Sequence, residues 1–159
     1  VFLFPLIPRG PYSGVTAVEN FKYPVFSLLI RRLNAIPIDR KNTQQAIESI
    51  KRAERVLGGG VHIGILPEGS RTITGKMRPL KKGGFHMALN TRTSIIPVGV
   101  DGAFSFKPKN RWWLRPGPIT INIGEPVHYE EYGSLGVDGL LEKIELKIRY
   151  LSGESREDR

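Results

Sequence analysis

The 159-residue chain is expected to fold as an α/β protein with a mixed, largely parallel central sheet flanked by helices. Three observations predict it. Short apolar runs bounded by Gly and Pro alternate with stretches whose apolar residues recur at helical spacing. The order of these segments is βαβ, which favours parallel strands joined by right-handed crossovers. The chain then closes on a long amphipathic stripe able to cover one face of a sheet.

In chain order, Val15 to Val18 reads as a short strand. Pro24, a good first helical residue, opens a helix over Val25 to Leu33 that is apolar around most of its surface and so is expected to be mostly buried. Arg31 and Arg32 fall in its last turn, where cations suit the helix dipole. Ala35 to Ile38 is a second strand. Asn42 with Gln45 forms a capping-box-like start for a helix carrying Ala46, Ile47, Ile50, Ala53 and Leu57, stopped by Gly58-Gly59-Gly60. Val61 to Ile65 is a third strand, followed by a turn and a basic loop, Thr72 to Lys82, expected to be mobile. A helix from about Gly84 to Asn90 and a strand from Ser94 to Val100 come next. Ile119 to Ile123, between Pro118 and Gly124, reads as an edge strand. Val137, Leu140, Leu141, Ile144, Ile148 and Leu151 make the closing helical stripe. No repeat or composition break divides the chain, so residues 1–152 read as a single domain and 153–159 as a frayed charged tail.

With 40% hydrophobic and 25% charged residues, the chain can bury a sizeable core, which excludes a disordered protein. Its 24 Lys and Arg against 15 Asp and Glu leave +9, a surplus suited to nucleic acid, anionic lipid or phosphorylated metabolites. The absence of cysteine excludes disulfides, thiolate nucleophiles and Cys-based metal sites. The longest apolar runs, Val1 to Pro8 and Val25 to Ile30, fall short of the roughly 20 residues that span a bilayer.

The chemistry concentrates at Leu66-Pro67-Glu68-Gly69-Ser70-Arg71, directly after the third strand. Open α/β sheets place ligands beyond the carboxyl ends of their strands. Arg71 can fork onto phosphate oxygens, Gly69 lets backbone amides approach closely, and Glu68 can accept from a hydroxyl. The plainer reading is that Glu68 bonds backbone amides and Ser70 caps the next segment, both merely shaping the turn.

This block resembles the Phe-Pro-Glu-Gly-Thr-Arg block of the glycerolipid acyltransferases, whose best known members are the lysophosphatidic acid acyltransferases. Ala35-Ile36-Pro37-Ile38-Asp39-Arg40 is similar to that family's Gly-x-x-Phe-Ile-Asp-Arg block, and Ile95-Ile96-Pro97-Val98-Gly99-Val100 to its Val-x-Pro-Val block. Lys81-Lys82-Gly83-Gly84-Phe85 resembles the Lys-Lys-Gly-Ala-Phe found after the Glu-Gly turn, and Lys22-Tyr23-Pro24-Val25-Phe26 the approach to the second block. The likeness covers about residues 15 to 127. It implies an acyltransferase-like three-layer αβα fold and an O-acyltransferase that moves a fatty acyl group to a glycerol phosphate or lysophospholipid. The donor would be acyl-coenzyme A or acyl carrier protein as cosubstrate, with no other cofactor.

The resemblance assigns Arg40 and Arg71 to the acceptor phosphate and Glu68 to the glycerol oxygens, with Gly69 and Ser70 counted among the substrate-binding residues. Pro97 is assigned to the acyl path. It also implies work at a membrane surface, on the cytoplasmic face. For Asp39–Arg40 the plainer alternative is a surface ion pair, and for Pro97 it is turn geometry.

The family's His-x-x-x-x-Asp block, which supplies the general base, is not in these residues: five positions beyond His62, His86 and His128 stand Pro67, Thr91 and Gly133. Together with the start at Val1, this reads as an N-terminally shortened chain that supplies acceptor binding without the catalytic pair. Ala17-Val18-Glu19-Asn20 also departs from the family, which carries lysines there. His62, among apolar neighbours, reads as a core histidine. Trp112-Trp113 between Arg111 and Arg115 suits either a membrane-interface anchor or a loop packed on the sheet. Lys76, Arg78, Lys81 and Lys82 read as a solvated face that can also steer anions. The alternative function is a non-catalytic phosphate- or lipid-binding module. Nucleic acid is not expected as a partner, since only charge and Trp112-Trp113 speak for it and no nucleic-acid motif accompanies the charge.

Overall fold

A computed structural model describes residues 10–39 and 42–154. The chain forms two compact units, Val1–Leu66 and Pro67–Arg159. The first is built on a parallel three-stranded sheet in the order β2-β1-β3, with β1 at Tyr12–Ala17, β2 at Ile36–Ile38 and β3 at His62–Gly64. The middle strand divides its length between its neighbours: Val15, Thr16 and Ala17 register with Ile36, Pro37 and Ile38, while Tyr12, Ser13 and Gly14 register with His62, Ile63 and Gly64. Pro37 lacks an N–H to give to a ladder, which suits β2 to the sheet's edge. Ser13, buried in β1, donates its hydroxyl to the Asn34 carbonyl at 2.7 Å and fixes the entry into β2.

Among the described residues, two α-helices and a short 3-10 helix at Val18–Lys22 belong to the same unit as this sheet. In α2, Thr43–Gly58, Asn42 Oδ1 accepts the Gln45 N–H at 3.1 Å, the N-cap that Asn42 and Gln45 foretell. The helix ends in Gly59 and Gly60, the latter at φ +80°. Helix α1, Pro24–Arg32, starts at the expected proline, but the expectation that it is mostly buried fails. Ile30 is buried, whereas Val25 is 86% and Leu28 59% exposed. Apolar content reports how much a helix could bury, and the partner that would cover its second face is not encoded in the helix itself.

The second unit holds an antiparallel pair, β4 at Val98–Asp101 and β5 at Thr120–Ile123, registered Val98 to Ile123 through Asp101 to Thr120. The mixed sheet character expected from sequence thus appears as parallel pairing among β1 to β3 and antiparallel pairing of β4 with β5. The strand expected from Ser94 starts at Val98. Ile95 makes only an isolated bridge, exchanging bonds of 2.9 and 2.8 Å with Val127, and Pro97 breaks the ladder between.

Helices α3 (Gly83–Thr91), α4 (Ala103–Phe106), α5 (Tyr129–Tyr132) and α6 (Gly136–Leu151) complete this unit. The foretold stripe of α6 is its buried face: Leu140 and Ile144 join Leu80, Phe85, Ala88, Val127 and Tyr132 in one core cluster, with Val137, Leu141 and Ile148 against it. The Tyr132 hydroxyl lies 2.6 Å from the Thr93 carbonyl and 3.1 Å from that of Ala88, so a buried polar group is satisfied where α3 ends. Gly99 lies directly against α6, and a Cβ there would overlap the backbone of Leu151 and Ser152. Gly153 and Glu154, read from sequence as tail, are tied in: Glu154 accepts from the Met77 N–H at 2.9 Å and from Arg149 at 2.7 Å. The hydrogen bonds that Arg149 donates to Glu145, opposed in part by desolvation and aided by the charge of Glu154, raise it above its ordinary pKa. Residues 155–159 of the tail lie outside those described.

Candidate functional site

The turn after β3 is held by its own loop. The Lys81 N–H donates to the Pro67 carbonyl at 2.8 Å, joining the two ends of the segment from Pro67 to Lys81. One step inside, Glu68 Oε2 accepts the Arg78 N–H at 2.9 Å. The Arg78 guanidinium folds back so that Nη1 donates to Ser70 Oγ. Within the loop, Thr72 Oγ1 accepts from the Thr74 N–H at 3.2 Å and Thr74 Oγ1 from the Lys76 N–H at 3.3 Å, two hydroxyl-built turns. Leu80 is buried in the core cluster and Met77 packs on it.

The expectation of a mobile loop therefore fails. Basic composition foretold a solvated segment, but two apolar side chains, a long-range bond to Glu154 and the two internal closures pin it, in the manner of a compact Ω-loop. Lys82 likewise lies 2.6 Å from Asp138 in an exposed ion pair.

Gly69 sits at φ +71°, a left-handed position that a Cβ would strain, and this fixes the direction in which the turn opens. Among the described residues, the N–H groups of Gly69, Ser70 and Arg71 meet no protein acceptor, and Arg71 is exposed with no ion pair. Glu68 has one oxygen engaged by Arg78, leaving Oε1 for a further donor. The arrangement thus offers adjacent amide donors, a guanidinium donor and a carboxylate acceptor on one braced turn, a set matched to a phosphate beside a hydroxyl.

The sequence-derived residues fare differently. Glu68, Gly69, Ser70 and Arg71 are brought together, and the plainer roles of Glu68 and Ser70 are present too, since both take bonds from Arg78. Arg40 lies outside the described residues. Pro97 is buried, and its carbonyl accepts from the Gly124 N–H at 2.9 Å. His62 corrects the expectation of a core histidine: it is exposed on β3, its ring 5.8 Å from that of Tyr12. In a three-residue edge strand the side chains of successive residues face opposite ways, so apolar neighbours did not imply burial. His128 caps α5, its Nδ1 2.8 Å from Ser94 Oγ, and the Glu131 carboxylate accepts the His128 N–H at 3.0 Å.

Sequence reasoning missed Arg78 as the brace of the turn, and the ten-residue return from Glu68 left no local signal. In the first unit, a groove of about 460 Å³ beside Asp39 is lined by Glu48, Arg52 and Arg55 among others. Its balanced charge gives it no preference for an anion. Among the described residues no helix is long and apolar enough to cross a membrane.

The fold and the braced Glu-Gly turn after a parallel strand define an α/β protein, and comparison with known proteins supplies the family. The family model described as Acyltransferase matches residues 2–101, and the chain belongs to that family. It is similar to a 1-acyl-sn-glycerol-3-phosphate acyltransferase of Cocos nucifera, 36% identical over 87% of this chain and 45% of the relative. The enzyme of that name from Limnanthes alba is 31% identical over 98% and 56%, and that from Pseudomonas aeruginosa 30% identical over 85% and 52%. Among solved structures, the 1-acyl-sn-glycerophosphate (LPA) acyltransferase PlsC of Thermotoga maritima matches with a TM-score of 0.77 at 26% identity, over 92% of this chain and 58% of that one. The chain spans about half the length of the curated relatives it matches.

Proposed function

We propose that this chain forms the acceptor-binding part of a 1-acyl-sn-glycerol-3-phosphate O-acyltransferase, with the turn from Pro67 to Arg71 as the phosphoglycerol site. The observation that carries it is the bracing of that turn. Arg78 and Lys81 tie it to its loop, and Arg71, Glu68 Oε1 and the amides of Gly69, Ser70 and Arg71 have no protein partner among the described residues. The names of the relatives support the acceptor class. In this reading Arg71 binds the phosphate, with Arg40 assigned the same role by the family's block, and Glu68 accepts from a glycerol hydroxyl. Pro97 belongs to the segment assigned to the acyl path.

The reaction is acyl transfer from acyl-coenzyme A or acyl carrier protein, on the cytoplasmic face of a membrane. A histidine of a His-x-x-x-x-Asp pair, absent from these 159 residues, takes the acceptor's hydroxyl proton. The oxygen attacks the thioester carbonyl, an ester forms, and the thiol leaves with the proton returned to sulfur. Holding the acceptor by its phosphate turns an encounter into a positioned attack, which can lower the barrier by several kcal/mol. The test is acyl transfer from labelled acyl-coenzyme A to lysophosphatidic acid by the protein with its native flanking sequence. Formation of phosphatidic acid with lysophosphatidic acid preferred over an uncharged acceptor is expected. Lysophosphatidic acid binding without turnover would favour the non-catalytic module instead.

A further inference from the structure

The segment between α4 and β5 carries features that neither the fold nor the acceptor site uses. Trp112 is 86%, Trp113 53% and Leu114 57% exposed, an apolar tip far more costly to hydrate than an ordinary loop. Lys107, Lys109, Arg111 and Arg115 flank it, and no Asp or Glu occurs from Gly102 to Gly124. The tip is presented by a stiff frame. Arg111 Nη2 donates to the carbonyls of Ser105 and Phe106 at 2.7 and 2.9 Å, and its Nε to that of Trp113 at 3.2 Å. The Lys107 ammonium donates to the Arg111 carbonyl, and the Arg115 N–H to that of Phe106 at 2.9 Å. The two indoles meet edge to face with centroids 5.7 Å apart, and the Arg111 guanidinium lies 5.7 Å from the Trp113 ring.

We propose that this loop is a membrane-docking tip, seating Trp112, Trp113 and Leu114 in the headgroup layer of an anionic bilayer while Lys109 and Arg115 contact lipid phosphates. The occupant is set by the chemistry. Indoles partition to the bilayer interface, where their apolar body and N–H are both accommodated. The uninterrupted positive charge around them complements an anionic leaflet. A protein interface of comparable apolarity is depleted of lysine at its centre, whereas this tip is ringed by cations. Rigid framing lowers the ordering cost of insertion. The inference deepens the membrane-surface part of the proposed function and rests on it only for the identity of the surface.

The chain's only two tryptophans are Trp112 and Trp113, so indole emission reports on this loop alone. The experiment adds vesicles of phosphatidylglycerol and phosphatidylcholine to the intact chain, without substrate, and monitors emission and its quenching by brominated acyl chains. A blue shift with quenching is expected, weaker with phosphatidylcholine alone. Trp112→Ser should reduce partitioning several-fold at an unchanged thermal midpoint. Lys109→Gln should reduce it about five-fold, from roughly 1 kcal/mol per cation near an anionic surface. Emission that vesicles leave unchanged overturns the proposal, as does a lipid-independent blue shift growing with protein concentration, which would assign the tip to a second copy. Since no turnover is measured, failure here leaves the acyltransferase reading standing, and inactivity with intact vesicle binding leaves this one standing.

Discussion

Glu68 Oε2 accepts the backbone N–H of Arg78 at 2.9 Å, so the carboxylate of the Glu-Gly turn is a bracket for its loop as well as a candidate ligand group. One oxygen holds the return of the chain, and the other has no protein donor among the described residues. The two roles can be separated by substitution. Glu68→Ala should speed amide exchange at Arg78 and Lys81, while Glu68→Gln, whose carbonyl oxygen can still accept, should keep most of the protection. Equal exchange in all three proteins would mean that the bracket is not what holds the loop.

Gly69 tests the turn's backbone. At φ +71°, a Cβ costs about 1–2 kcal/mol. Gly69→Ala should therefore lower the unfolding free energy by that amount and weaken phosphate binding further, because relaxation of the turn moves its amides. A variant with wild-type stability and binding would show that the left-handed position is dispensable.

The core of the second unit has a polar pin in Tyr132, fully buried with its hydroxyl on the end of α3. Burial, with smaller contributions from Tyr129 and Glu130, pushes its pKa up, in keeping with a neutral donor. Tyr132→Phe should cost about 1–3 kcal/mol by stranding the carbonyl of Thr93, since that of Ala88 keeps its backbone donors. Leu140→Ala, which leaves a cavity beside it, should cost about 2–5 kcal/mol. Urea unfolding curves measure both, and a Leu140→Ala change smaller than that of an exposed leucine such as Leu146 would displace α6 from the core.

Much of this architecture was legible because its signals are local. Asn42 with Gln45 marks the start of α2, Pro24 the start of α1, and the spacing of Leu140, Ile144 and Ile148 the buried face of α6. The Glu-Gly turn was legible as a string of residue types whose chemistry needs no tertiary partner to be recognised. What stayed hidden depends on distant partners: the exposure of Val25 and Leu28 on α1, the exposure of His62, and the pinning of the basic loop by Glu154, 77 residues away from Met77. Periodicity says which face is apolar, and only the fold says whether that face is covered.

The His128–Glu131 cap predicts an acid limb. The Glu131 carboxylate is held below its ordinary pKa of 4.5, chiefly by the His128 N–H, with Lys143 at 3.4 Å adding to it. A lowered folded-state pKa adds stability that is present above the ordinary carboxylate value and lost as pH falls through the folded value. Glu131→Gln should thus show a shallower loss of thermal midpoint on acidification below pH 4.5 than wild type. Identical acid limbs would remove Glu131 from the cause.

Whether Arg71 grips the acceptor's phosphate is the central claim. It is tested most directly by titrating short-chain lysophosphatidic acid into the chain while monitoring the amide resonances of Gly69, Ser70 and Arg71. Saturable shifts at those amides, abolished by Arg71→Ala and retained with weaker affinity by Arg71→Lys, are the predicted result. Unchanged titrations in Arg71→Ala, or shifts confined to residues away from the turn, would contradict it.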